Sequence, residues 1–436
     1  MENQISVFKF GGASVKDAES IRNLIPILQD YKGQSLAIVI SAMGKTTNAL
    51  EKVVEAYVAE DGQANSLLDE VKQHHFQVLQ DLFEETSHPI FADINDAFVE
   101  IDWVLEEPPV DEFDYIYDQV VSVGEVLSTK IIAAFLSSQG LPTHWLDARD
   151  VIRTDNLYRE AWVQWPETIE RAQQHLRPLL GPEQFVLTQG FIGCSSENFT
   201  TTLGREGSDY TAAILAYCLD AEIMTIWKDV PGVLTADPRL FDNVSKLDRL
   251  SYREAIEMTY YGAKVIHPKT IKPLQNKNIP LLIKSFVDPS GSGTRVSELA
   301  EENYPPMVAV EGNQALLHIS TKDFSFVAEH HLSFLFKEIA AHRLQVNIMQ
   351  NTAISFAVCV NDVDGRVDAF AKSIETDFKV DIERGLKLIT VRHSRQDVVD
   401  DLVKNKVVLF EERIRKTQQM VVKDVPAMRW KKEVQL

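Results

Sequence analysis

The sequence predicts an α/β protein: an open, mostly parallel sheet sandwiched by helices, followed by smaller ferredoxin-like α+β units. Three observations predict it. Short apolar runs alternate with helical patterns over nearly 300 residues, the order that builds a parallel sheet with helical crossovers. Ser35 to Ala42 (SLAIVISA) is almost continuously apolar, as a strand covered on both faces must be. Beyond about residue 298 the order changes to strand–helix–strand–strand–helix–strand, the ferredoxin-like sequence of elements.

Each element follows in turn. Ile5 to Phe8 is a strand that runs into Lys9 to Ser14 (KFGGAS), with a helix expected to open near Val15. SLAIVISA is the second strand, and a helix starts at about Thr46. From Ala59 to Asp118 there are 17 Asp and Glu against Lys72 alone, a net charge of −16. Leu68, Val71, Val78 and Leu82, then Ile94, Phe98, Ile101 and Leu105, recur there at helical spacing. The stretch reads as a helical insertion, about 59–118, with one buried stripe and a solvated acidic face. Val121 to Ser137 and Ser208 to Leu219 read as helices. Phe185 to Gly193 and Glu222 to Trp227 read as strands. Tyr252 to Gly262 is a helix and Ile279 to Phe286 a strand, before the turn Asp288 to Thr294. A catalytic domain is expected over 1–298 and two regulatory or dimerising units over 299–436. The first unit reads as Ala315–Ser320, Phe326–His342, Val346–Met349, Ile354–Val360, Val367–Thr376 and Lys379–Ile382. The second reads as Leu386–Val391, Val398–Val403, Val407–Phe410 and Met420–Val422.

Composition narrows the function. A chain of 436 residues with 45% apolar content can bury more than one core. A formal charge of −20 argues against a nucleic-acid partner. No run approaches the roughly 20 apolar residues of a membrane span. The first residues enter a strand directly, with no secretory pattern, so a cytoplasmic protein is expected. Cys194, Cys218 and Cys359 are scattered, with neither metal spacing nor a disulfide framework.

Four clusters carry chemistry. In KFGGAS, Gly11 and Gly12 lack a Cβ, so bare N–H groups can approach an anion, and Lys9 adds a mobile positive charge. In Thr202 to Ala213 (TLGREGSDYTAA), Ser208 is expected to cap a helix with Asp209 in its first turn. Arg205 in the same loop offers a planar fork that fits a carboxylate. Trp227 to Arg239 (WKDVPGVLTADPR) ends a strand at Asp229 and then turns twice. Tyr261 to Lys269 (YGAKVIHPK) places Lys264 and His267 near a helix end. Lys9, Arg205, Lys228, Arg239 and Lys264 thus gather on strand-end loops, where α/β sheets bind ligands. In a chain this acidic, that gathering suggests a polyphosphate. Gly44-Lys45-Thr46 imitates a P-loop, but Val39 stands where its first glycine would be.

The clusters in this order resemble the aspartate kinases of the amino acid kinase superfamily, and the two C-terminal units resemble the ACT domains of that family. SAMGKTTN (Ser41 to Asn48) and SVGE (Ser122 to Glu125) match further family positions. The resemblance implies an ATP- and Mg²⁺-dependent kinase that phosphorylates the β-carboxylate of L-aspartate, an early step toward lysine, threonine and methionine. It implies that Lys9 and Asp209 are catalytic. It implies an ATP site of Lys9, Phe10, Gly11, Gly12, Lys228, Asp229, Leu234, Arg239, Lys264 and Val265. It implies an aspartate site of Ser41, Thr47, Glu125, Arg205 and Ser208, with no metal ligands from the protein because Mg²⁺ rides on the ATP phosphates. It further implies a homodimer and an amino acid effector at the ACT units. Another acceptor, glutamate or acetylglutamate, and a non-catalytic ACT-based sensor are the alternatives. Against the family pattern, Ala13 replaces a hydroxyl residue, Glu206 a common glycine, Lys228 a small hydroxyl residue and Leu234 a larger side chain. In the first ACT-like unit, IMQNTAISF (Ile348 to Phe356) stands where a serine-rich strand is usual.

Overall fold

The computed structural model describes residues 4–262, 266–298, 303–323 and 325–424. The chain divides into two compact units. The first takes in Met1–Val233, Lys246–Thr259 and Lys264–Ala300; the second takes in Leu234–Ser245, Tyr260–Ala263 and Glu301–Leu436.

The first unit begins with β1 (Ile5–Phe10), α1 (Ala18–Arg22), α2 (Leu24–Gln29), β2 (Ser35–Ile40) and α3 (Thr46–Val58). The acidic stretch is helical: α4 (Ala64–Leu82), α5 (Ile90–Glu106) and α6 (Phe113–Val121). Then come α7 (Val123–Ser138), β3 (Thr143–Leu146), β4 (Arg153–Thr154) and α8 (Trp165–Arg171). The chain continues through β5 (Phe185–Gln189), β6 (Ile192–Ser195), β7 (Thr200–Thr202), α9 (Gly207–Leu219) and β8 (Ile223–Lys228). It closes with β9 (Arg249–Ser251), α10 (Tyr252–Tyr260), α11 (Pro268–Asn276), β10 (Leu281–Ser285) and β11 (Thr294–Ser297).

Eight of these strands form one sheet in the order β3-β5-β2-β1-β8-β10-β11-β9, parallel from β3 to β10. Every residue of β2 is buried, as its continuous apolar run requires. The stretch Phe113–Ser138 has the length and apolarity of a membrane span, which the sequence reading did not anticipate. It is a core helix pair, with 83% of its most apolar window buried. An all-round apolar helix finds its place in a large core as readily as in lipid.

Phe185 to Gly193 reads as one strand but breaks in two. β5 lies in the large sheet, whereas β6 joins a three-stranded sheet with β4 and β7. The break falls at Gly190, where any Cβ would overlap the Cβ of Ser208 at the start of α9. Close backbone packing, which no periodicity reveals, ends the strand there.

The second unit is a six-stranded antiparallel sheet in the order β13-β14-β12-β15-β17-β16. Its elements are β12 (Met307–Thr321), α12 (Glu329–Ala341), β13 (Val346–Asn351), β14 (Ser355–Asn361), α13 (Arg366–Ile374) and β15 (Phe378–Arg392). They continue as α14 (Gln396–Val403), β16 (Lys406–Ile414) and β17 (Thr417–Asp424). The two expected strands Lys379–Ile382 and Leu386–Val391 are halves of one 15-residue strand, β15. β12 is equally long and bulged between Glu311 and Gln314. Its second half pairs with Phe378–Leu386 and its first half with Leu388–Arg392. The two ferredoxin-like units therefore share both central strands. The second unit takes an edge from chain that precedes the first, a long-range pairing that local sequence cannot announce.

Gly190→Ala tests the packing that ends β5. The added methyl must displace the first turn of α9, so stability should fall by about 1–3 kcal/mol. Urea denaturation measures it, and an unchanged midpoint would show that the contact is not tight.

Candidate active site

Three adjacent parallel strands, β2, β1 and β8, end at the same edge. Phe10 is in register with Ile40 on one side and Trp227 on the other. Lys9, Ser41 and Lys228 are therefore delivered together. After β1 the chain turns at Gly11, and Gly12–Val15 forms a single 3₁₀ turn. The helix expected near Val15 starts only at Ala18, where the Asp17 carboxylate accepts the Ser20 N–H at 2.8 Å. What Gly11 and Gly12 offer is thus bare loop backbone and not the end of an α-helix. A Cβ on Gly12 would lie 2.8 Å from the Ala42 carbonyl oxygen, and the Gly44 N–H donates to the Gly12 carbonyl at 3.0 Å. The loops after β1 and β2 clasp each other, and only glycine fits between them. A Cβ on Gly11 would press on the Lys9 ammonium at 3.3 Å.

Asp209 organises the charges. It lies in the first turn of α9, fully buried, on a helix that packs across β1, β2 and β8. Lys9 Nζ is 2.7 Å from its Oδ1, and Lys228 Nζ is 3.6 Å from its Oδ2. Burial alone would raise the Asp209 pKa, but the charges of Lys9 and then Lys228 outweigh it and hold the carboxyl below its ordinary range. One ionised carboxylate thus orients two ammonium groups, and the trio keeps a net positive charge at the strand ends.

A second acidic group faces the same place. Glu125 stands in the first turn of α7 and is buried. Burial pushes its pKa up to about 8, against the opposing pull of the Ala42 backbone N–H, the Lys9 charge and the Ser208 hydroxyl. Among the described residues its Oε2 has no hydrogen-bond partner. α7 reaches this depth because Gly124 lets α3 approach: a Cβ there would be 3.1 Å from Thr46 Cγ2. Thr47, the next residue of α3, and Ser41 are half-buried, and the Ser41 carbonyl accepts the Ser128 hydroxyl at 2.8 Å. Glu125, Ser208 and Asp209 therefore line a polar recess beside Lys9, with Ser41 and Thr47 on the elements that wall it.

Other expected site residues fall elsewhere. The Phe10 ring is fully buried and stacks on Trp227 at 5.8 Å, so only its backbone reaches the strand end. Arg205 is exposed on the loop before α9, and Asp229 is exposed just past β8. Leu234 and Arg239 belong to the second unit, where Arg239 is paired with Asp237 at 2.7 Å. Lys264 and Val265 lie outside the described residues. Ser208 is not the N-cap of α9; Glu206 is, with a left-handed φ of 56°. That conformation explains why glycine suits the position. His267 caps α11 by accepting the Lys269 N–H and feels the charges of Arg205, Glu206 and Asp209.

One buried carboxylate escaped the sequence reading. Asp118 closes the acidic stretch and was expected on its solvated face, yet it is fully buried. It accepts the N–H and hydroxyl of Thr202 at 2.8 and 2.7 Å and the Arg159 N–H at 3.0 Å. Helical phase did not reveal it, since Asp114 one turn earlier is exposed; the donors that hold Asp118 come from Thr202 and Arg159, far along the chain.

This site sits in a known architecture. The model of the amino acid kinase family matches residues 4–285, and the chain belongs to that family. Its kinship within the family is with the aspartokinases. Lysine-sensitive aspartokinase 3 of Escherichia coli (strain K12) is 32% identical over 403 residues, 89% of this chain and 87% of that protein. The chloroplastic bifunctional aspartokinase/homoserine dehydrogenase 2 of Arabidopsis thaliana is 31% identical over 307 residues, 69% of this chain but 33% of that longer protein. E. coli aspartokinase III solved with aspartate and ADP (R-state) superposes with a TM-score of 0.81 at 29% identity, covering 96% of each chain. The same enzyme solved with lysine and aspartate (T-state) also gives 0.81 at 29% identity, covering 96% of this chain and 95% of that one.

Glu125 gives this site a pH signature. A carboxyl whose folded pKa is raised keeps its proton in the folded state where the unfolded chain has lost it. Its contribution to stability is whole below the ordinary value of 4.5 and is lost as pH rises through about 8. Glu125→Gln, neutral and isosteric, should flatten the fall in Tm of the ligand-free enzyme between about pH 5 and pH 8.5. A wild-type slope in the variant would show that Glu125 does not titrate there.

Proposed function

We propose that this chain transfers the γ-phosphoryl group of ATP to the β-carboxylate of L-aspartate, giving 4-phospho-L-aspartate and ADP. The observation that carries the reading is the buried Asp209 carboxylate holding Lys9 and Lys228 at one sheet edge, beside a buried Glu125. The relative solved with aspartate and ADP supports aspartate and an adenine nucleotide as ligands.

The nucleophile needs no general base. The aspartate side chain has an ordinary pKa of about 3.9 and is ionised at neutral pH. One of its oxygens forms a bond to the γ-phosphorus as the bond to the ADP oxygen breaks, so the enzyme's task is alignment and charge stabilisation. Lys9, with the Gly11 and Gly12 N–H groups, faces the β- and γ-phosphates. Lys228 adds a second positive charge on the nucleotide side. Asp229, just past β8, adds to the nucleotide side, and the resemblance to the family adds Lys264 and Val265. Arg205 pairs with the substrate α-carboxylate through its fork. The Glu125 Oε2 receives the α-ammonium, which draws the proton from Glu125 and satisfies a buried oxygen. Ser41, Thr47 and Ser208 supply neutral hydroxyls around the substrate.

Among the described residues no three His, Cys, Asp or Glu side chains gather as a metal site. Asp209, the buried carboxylate at the phosphate edge, is already engaged by two ammonium groups. In this reading Mg²⁺ would ride on the triphosphate, where it would neutralise phosphate charge. We assign regulation and homodimer formation to the second unit, with an amino acid effector; its E. coli relative is lysine-sensitive. We propose the cytoplasm as its location.

Hydroxylamine trapping of the acyl phosphate tests the activity. ATP- and aspartate-dependent hydroxamate should form, and glutamate or acetylglutamate should not replace aspartate. Lys9→Ala should lower kcat by about 10²–10³-fold with an unchanged circular dichroism spectrum. Equal turnover of glutamate would overturn the acceptor, and wild-type turnover in Lys9→Ala would overturn the phosphate role.

A further inference from the structure

We propose that Asp118 is a positioning residue for aspartate binding, acting through Thr202 and Arg159 to hold the loop that presents Arg205. This rests on the reading of Arg205 as the partner of the substrate carboxylate.

The Asp118 side chain is fully buried, and its ionised form would be costly there without donors. It has three. Oδ2 accepts the backbone N–H of Thr202 and of Arg159, and Oδ1 accepts the Thr202 hydroxyl. The far side of the same segment is also held, since the Ala161 N–H donates to the Thr202 carbonyl at 2.9 Å. Thr202 ends β7, and two residues later the chain passes Gly204, which has a φ of 75°. A Cβ on Gly204 would meet Glu160 Cγ at 3.2 Å and the Arg159 carbonyl at 3.3 Å. Arg205 follows at once. The backbone leading into Arg205 is therefore gripped between Asp118 and the 159–161 segment.

Arg159 is unusual in its own right. It is a non-glycine residue with a φ of 66°, a left-handed conformation that side chains with a Cβ disfavour. Its N–H goes to Asp118, and its guanidinium stacks on Tyr117 at 4.3 Å. The same guanidinium pairs with Asp114 at 3.3 Å and Glu51 at 3.6 Å. Glu51 lies one turn beyond Thr47 on α3, and Asp114 and Tyr117 lie on α6, which leads into Glu125. Strain held by several contacts beside a candidate substrate loop is the arrangement expected of a preorganised site. The Asp118 clamp thus joins the loop of Arg205 to α3, the helix of Thr47, and to α6, which precedes the helix of Glu125. Among the described residues, it touches none of the groups assigned to ATP.

The test is a double-mutant cycle read in kcat/KM for aspartate, with KM for ATP as the control. Asp118→Ala should lower kcat/KM for aspartate at least tenfold while KM for ATP stays within twofold. Asp118→Asn should stay within about threefold of wild type, since one amide oxygen can accept both backbone N–H groups and the amide can donate to the Thr202 hydroxyl. Thr202→Val, which removes one donor, serves if Asp118→Ala does not fold, and should lower the same ratio severalfold. In an Arg205→Ala background, Asp118→Ala should cost less than a further twofold. A full tenfold loss there, or equal losses toward ATP and aspartate, would overturn the clamp. If Arg205→Ala itself leaves kcat/KM for aspartate unchanged, the assignment of Arg205 fails instead.

Discussion

The buried carboxylate of Asp209 is the constraint on which the rest of the structure depends. It is fully enclosed, so it must be ionised beside cations or neutralised, and the fold supplies two cations. Lys9 comes from the end of β1 and Lys228 from the end of the neighbouring β8. For both to reach one carboxylate, α9 must lie across those strands with its first turn at their ends. That placement explains why Gly190 can bear no side chain and why the chain before α9 is left-handed at Glu206. Losing one partner of a buried ion pair costs about 3–5 kcal/mol. The charges of Lys9 and Lys228 are thereby tied to the integrity of the core.

The proposed two-substrate site rests on the same geometry. The positive trio of Lys9, Lys228 and Asp209 sits on one side, and the raised-pKa Glu125 on the other. The two sides differ in what they demand: anions in one place, an ammonium in the other. ATP and an amino acid meet those demands, and no acid–base group is required between them. Lys228 shifts this balance, because a small hydroxyl residue there would leave Asp209 and Lys9 neutral as a pair.

Much of this was legible in the sequence. The parallel sheet announced itself through SLAIVISA and the alternation of elements, and Lys9, Asp209 and Glu125 were found through their motifs. Other features were written in contacts between distant residues. Asp118 looked like one more carboxylate in an acidic stretch, because burial by Thr202, 84 residues away, leaves no local trace. The N-cap position expected of Ser208 is occupied by Glu206, which makes no side-chain cap, and Gly207 packs closely against Phe191 at the start of α9. β15 was read as two strands and β12 only as its second half, because a glycine and a bulge interrupt their alternation.

The most direct test of the central claim is the turnover of Asp209→Asn, an isosteric change that removes the charge binding the two lysines. The account predicts a fall in kcat of at least about 10²-fold in the hydroxamate assay, with the folded spectrum retained. An Asp209→Asn enzyme with wild-type kcat would contradict it, because the lysines would then need no buried carboxylate to do their work.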